Sequence, residues 1–167
     1  MASGSDAFRL GERVKVSIAD YAVASRGTLT TSGLGSCLGI AIYDPNRELS
    51  SLLHPMLPHR NRDAERPPER FVDSGIDVVV GELLAAGADE PSLRAKVAGG
   101  ATVVDFGMNE EGSIGDRNVA AAREVFAERG IRIVGEEVGG DRGRTVRVDA
   151  GTGTVSVERT DGVNTLL

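Results

Sequence analysis

The run Leu38-Gly39-Ile40-Ala41-Ile42-Tyr43 constrains this chain more than any other stretch. Apart from one glycine it is apolar throughout, and it stops at the turn signal Asp44-Pro45-Asn46. So short and continuous an apolar run reads as a central, buried strand. Directly before it, Gly33 and Gly35 crowd Cys37, and Gly39 follows. Cys37 is the single cysteine of the chain.

The remaining elements are arranged around that strand. Val14, Val16 and Ile18 alternate with polar residues, which predicts a half-buried strand within 12–25. Gly27–Thr31 is short and β-prone. Ser50–Pro58 is apolar, but Pro55 and Pro58 keep it from being a central strand throughout. Residues 59–69 are charged, proline-bearing and without period, and are expected to form a mobile surface loop. Ile76, Val79, Val80, Leu83 and Leu84 have helical spacing, so a helix is expected over 71–86, capped by Gly87. Leu93–Gly100 reads as a strand and 105–115 as a loop. A second helix is expected over 116–129, with Val119, Ala122, Val125 and Phe126 on one face and Gly130 at its stop. Ile131–Val138 is a strand, 139–144 a tight turn and 145–159 a hairpin. These patterns give a mixed α/β chain with two main helices and about seven strands. The 167 residues suit one domain, with 1–10 and 161–167 as flexible ends.

Charge and composition narrow the function. A net charge of −6 argues against a nucleic-acid footprint, which needs a basic face. One cysteine excludes an internal disulfide and fits a reducing compartment. The first ten residues carry no apolar core of a signal peptide, and no apolar run approaches the roughly 20 residues of a membrane span. The expected setting is the cytoplasm, with no membrane insertion.

Three chemistries fit poorly. Gly33, Gly35 and Gly39 do not have the G-x-G-x-x-G spacing, and a strand rather than a helix follows them, so a nucleotide cradle is not expected. Cys37, His54 and His59 are too few for a structural zinc site, so neither metal nor cofactor is expected. Gly35-Ser36-Cys37-Leu38-Gly39 matches a nucleophile elbow only formally, because the elbow sits between strand and helix and its histidine comes last in the chain. Cysteine chemistry does not require the elbow. A histidine in contact could draw the thiol proton and hold a thiolate–imidazolium pair. Neighbouring glycines would give a substrate clearance and free N–H groups for an oxyanion. His54 lies in an apolar segment and His59 beside the charged loop, which favours His54 as the partner. A packed, inert core cysteine is the competing reading.

Taken together, Thr31–Pro45, His54–Pro58, Ala98–Gly100, Ile114–Asn118 and Gly135–Val155 resemble the chemoreceptor glutamine deamidase family, CheD. The resemblance runs from about Val14 to Val157. It implies a single-domain, three-layer α/β sandwich with mixed sheets. It also implies a catalytic triad of Cys37, His54 and Thr31 that hydrolyses receptor glutamine side chains to glutamate, through a thioester and with release of ammonia. The implied partners are the cytoplasmic region of chemoreceptors and the phosphatase CheC; a binding module that regulates CheC is the alternative. The sequence departs from the family pattern at Pro55, after the histidine, and at Val103 and Val104.

Overall fold

A computed structural model describes residues 8–9, 12–63, 65–102 and 112–167. Residues 1–7 and 10 of the expected flexible N-terminal end, Val103, Val104 and 105–111 of the expected loop lie outside the described residues.

The apolar run at Leu38 forms β5 (Leu38–Asp44), buried at every position. It lies inside a six-stranded sheet with β1 (Phe8–Arg9), β3 (Tyr21–Ala24), β6 (Leu49–Leu53), β7 (Arg94–Gly99) and β8 (Arg132–Val138). The order is β1-β3-β6-β5-β7-β8. Its edge pairs β1/β3 and β7/β8 are parallel and its inner pairs antiparallel. A second, five-stranded sheet combines β2 (Glu12–Lys15), β4 (Gly27–Leu34), β9 (Arg144–Asp149), β10 (Val155–Arg159) and β11 (Asn164–Leu166) in the order β11-β10-β9-β4-β2. The described residues also form two α-helices, α1 (Val72–Ala85) and α2 (Ile114–Arg129).

The pleat of β5 explains the layering. Leu38, Ile40 and Ile42 point to one face and pack with Ile76, Val80 and Phe126 of the helices. Ala41 points to the other face and packs with Leu29, Val146 and Val157 of the second sheet. Small residues on that second face, including Ala22, Ala24 and Ala98, let the two sheets approach. The six-stranded sheet is therefore the middle of three layers, as the resemblance implied, and both of its faces are covered.

The two main helices lie where the periodicity placed them, with shifted ends. α2 starts at Ile114, two residues before the expected start, because Ser113 and Asp116 form a reciprocal capping box. Gly87 follows α1 at φ +110°, and Gly130 stops α2 at φ +69°. The described residues contain eleven strands rather than about seven. The stretch 12–25 is two strands in different sheets, because the chain turns at Ala19, which adopts φ 58°. Within 161–167, expected to be a flexible end, Asn164–Leu166 pairs antiparallel with β10. A buried lysine helps hold that end: Lys96 Nζ donates to the carbonyls of Gly153 (2.9 Å) and Leu167 (2.8 Å) and lies 4.9 Å from the Tyr43 ring centre. In the charged loop, Arg60 N–H donates to Asp73 Oδ1, and Pro68–Arg70 forms a 3-10 turn.

Candidate active site

Cys37 lies in the three-residue link between β4 and β5, where the chain crosses from the outer sheet to the middle one. Thr31 projects from β4 and is 1% exposed. His54 directly follows β6 and is 2% exposed. Two backbone bonds fix the histidine: its N–H donates to Asp20 (3.0 Å), and its carbonyl accepts from Ala19 (2.8 Å). The next residue completes the approach to the cysteine link, since Leu38 N–H donates to the Pro55 carbonyl (3.3 Å). Pro55 lacks a donor, but its carbonyl supplies one bond between the two segments.

The structure brings Thr31 and His54 into direct contact, with Oγ1 2.7 Å from Nδ1. Thr31 Oγ1 also lies 2.8 Å from the Val16 carbonyl, to which it donates. A hydroxyl has one hydrogen, and a carbonyl can only accept. The Thr31 proton is therefore committed to Val16, and Nδ1 must carry the proton shared with Oγ1. This fixes the tautomer: Nε2 is the bare nitrogen. It is buried and has no hydrogen-bond partner among the described residues. Burial also holds the imidazole neutral, lowering its pKa from 6.5 to about 4.

The cysteine link is held by its carbonyls. Gly35 accepts from Ala101 N–H (2.9 Å) and Cys37 from Gly100 N–H (3.0 Å). Between them, Ser36 accepts from the Asn118 side chain (2.9 Å). With three successive carbonyls turned to the body of the protein, the Ser36 and Cys37 N–H groups find no backbone acceptor among the described residues. Burial raises the Cys37 thiol above its ordinary pKa, while its own backbone N–H and the charge of Arg70 pull the other way. Thiol and imidazole are thus both neutral at rest, and Cys37 makes no hydrogen bond to Nε2. This corrects the expectation of a standing thiolate–imidazolium pair, because desolvation penalises both ions. Such hydrogen bonds often tighten only when substrate is bound.

Gly33 and Gly39 have a different purpose from the one expected. Gly33, at φ +72°, accompanies a bulge between Thr31 and Leu34 that adds one residue to β4 opposite β9. A Cβ on Gly39 would press on Leu34 Cδ1 (3.0 Å) and Val146 Cγ2 (3.2 Å), so this glycine permits sheet-on-sheet contact. Clearance for a substrate explains neither. His59 stands apart from the Thr31–His54 contact, with Nδ1 3.4 Å from Asp73 Oδ2. Sequence reasoning missed Asn118 and Arg70. A buried asparagine on the inner face of α2, within the Ile114–Asn118 motif, was the available signal for the first.

The lowered pKa of His54 has a thermodynamic consequence. The unfolded chain protonates this imidazole near 6.5 and the folded one near 4, so its contribution to stability is complete above 6.5 and is lost as pH falls towards 4. The loss amounts to about 3 kcal/mol. Urea unfolding of the wild type should show this decline between pH 6.5 and 4, and His54→Gln should lack it; equal pH slopes would contradict a buried neutral imidazole.

A thiol, an imidazole and a hydroxyl are the residue types that acyl transfer from an amide uses; here the last two are in contact and the thiol lies in the link bonded to the histidine segment, in a three-layer α/β domain. The chain belongs to the CheD family: the family model described as CheD chemotactic sensory transduction matches residues 56–159. A protein of Natronomonas pharaonis named "Probable chemoreceptor glutamine deamidase CheD" is 68% identical over 156 residues, covering 93% of each chain. One of the same name from Haloarcula marismortui is 44% identical over 148 residues, 88% of this chain and 85% of its own. Among solved structures, Bacillus licheniformis YfiH is 14% identical with a TM-score of 0.45, over 71% of this chain and 49% of its own. Among the described residues, no helix is long and apolar enough to cross a membrane.

Proposed function

We propose that this protein hydrolyses the side-chain amide of glutamines in the cytoplasmic region of chemoreceptors, with Cys37 as nucleophile, His54 as base and then acid, and Thr31 as the group that orients the imidazole. The bare Nε2 of His54, left free by the Thr31–Val16 bond, is the observation that carries this reading. Association with the phosphatase CheC and a cytoplasmic setting belong to the same proposal.

In the first step Cys37 Sγ attacks the amide carbon while its proton passes to His54 Nε2. The carbonyl oxygen becomes an oxyanion, for which the N–H groups of Ser36 and Cys37, without a backbone acceptor among the described residues, are the available donors, each worth a few kcal/mol in such a position. The imidazolium returns its proton to the leaving nitrogen, the C–N bond breaks and ammonia departs, leaving a thioester. Water then adds to the thioester carbon, giving its proton to Nε2. Collapse breaks the C–S bond, regenerates the thiol and leaves glutamate. During both steps, Thr31 Oγ1 accepts from Nδ1–H and steadies the imidazolium, as a triad's third member does. Arg70 favours the thiolate as it forms.

Incubation with a chemoreceptor cytoplasmic fragment, followed by peptide mass spectrometry, tests the reaction. Conversion of particular glutamines to glutamate, with ammonia released in equal amount, is expected; unaltered glutamines would overturn the proposal. Thr31→Val keeps the shape but leaves Nδ1–H unpaired and the tautomer unfixed. Loss of that bond should lower kcat about 10–100-fold, and Thr31→Ser should restore most of it. Full activity in the valine variant would show that the hydroxyl does not orient His54.

A further inference from the structure

Asn118 is 0% exposed, five residues into α2. Asparagine is a weak helix former, and a buried amide is unfavourable unless its polar atoms are paired. Its Nδ2 donates to two carbonyls from distant parts of the chain, Ser36 (2.9 Å) and Met56 (2.9 Å). Ser36 immediately precedes Cys37, and Met56 follows His54 by two residues. Because both partners are carbonyls, only the NH₂ end of the amide can face them, so the side chain's orientation is fixed. The opposite atom, Oδ1, is buried without a partner among the described residues. A leucine of nearly the same volume would avoid that orphaned acceptor, so packing alone does not account for an amide here.

The helix is seated to make this contact. A Cβ on Gly115, one turn earlier, would collide with the carbonyls of Gly100 and Ala101. Those same two residues donate to the Cys37 and Gly35 carbonyls. The start of α2 therefore rests directly on the backbone that holds the cysteine link. A backbone bond between the cysteine and histidine segments, Leu38 N–H to Pro55, is long at 3.3 Å. The two Asn118 bonds are shorter and span the same gap.

We propose that Asn118 is a positioning residue for the Cys37–His54 pair, its side-chain NH₂ fixing the separation between the thiol link and the histidine segment. The inference rests on the catalytic reading of Cys37 and His54 given above. Asn118 touches neither reacting atom and acts through the Ser36 and Met56 carbonyls.

The test uses Asn118→Leu and Asn118→Asp in the full chain, both close in size to the native side chain; the aspartate variant decides the matter if the leucine variant does not fold. Ammonia release from a chemoreceptor cytoplasmic fragment should show kcat reduced about 100-fold, the scale of an ångström-sized misplacement, with KM little changed. Iodoacetamide alkylation of Cys37, in which iodide leaves and the thiol proton is taken up, supplies the second readout. His54→Ala should slow alkylation in the wild-type background and add nothing in either Asn118 background. A folded variant with wild-type kcat would overturn the inference, as would His54→Ala slowing alkylation by the same factor in both backgrounds, the mark of a merely structural residue. An active Cys37→Ala would instead overturn the underlying catalytic reading.

Discussion

Cys37→Ala should abolish ammonia release from a receptor fragment while the protein stays folded. The fold should survive because the link that carries the thiol is held by its backbone. Its three carbonyls are bound by Ala101, Asn118 and Gly100, and none of those bonds uses the sulfur. The side chain is only partly buried and lies against the inter-sheet cluster, so its removal leaves a small defect. Activity has no such support. Without the thiol no thioester can form, and the backbone N–H groups of Ser36 and Cys37, without a backbone acceptor among the described residues, can at most polarise the amide. Removal of a nucleophile from a comparable triad costs about 10⁴-fold or more, and a loss of that size is expected here. Ammonia release by the alanine variant at the wild-type rate would show that the chemistry lies elsewhere.

His54→Gln is expected to be the next most damaging change. Glutamine fills similar space and can still accept from a neighbour, but it cannot take a proton from a thiol near neutral pH. Burial already raises the Cys37 pKa, so loss of the base leaves very little thiolate. A fall in kcat of about 10²–10⁴-fold follows from loss of general base and acid together. The same variant should gain stability below pH 6.5, because the buried group that resists protonation is gone. An unfolded or globally loosened variant would not become less sensitive to acid. Lost activity together with a flattened pH–stability curve therefore separates a catalytic role from a structural one. His59→Ala should leave turnover near wild type, since His59 pairs with Asp73 instead.

Much of this was legible in the chain. The largely apolar β5, the two helices with their glycine stops and the terminal hairpin each have a local period or a local turn signal. The first strand pair did not, because 12–25 alternates smoothly through a turn that sends its halves to different sheets. Nor did β11, a three-residue edge strand without hydrophobic alternation, or Lys96, whose partners lie 57 and 71 residues away. At the site, the resemblance named Cys37, His54 and Thr31, and the structure holds the last two in contact. What could not be read was the state of the pair. That depends on how deeply His54 is buried and on the Val16 carbonyl claiming the Thr31 proton, both products of tertiary packing. Asn118 was hidden for the same reason, its partners being 82 and 62 residues distant.

Everything proposed for the chemistry depends on His54 presenting a bare Nε2 while neutral. Nitrogen-15 NMR of the imidazole in the resting protein at pH 7 reads this directly. The two ring nitrogens should show a protonated Nδ1 and an unprotonated Nε2, a pattern that persists well below pH 6.5 and is lost in Thr31→Val. An imidazolium at pH 7, or a proton resident on Nε2, would contradict it.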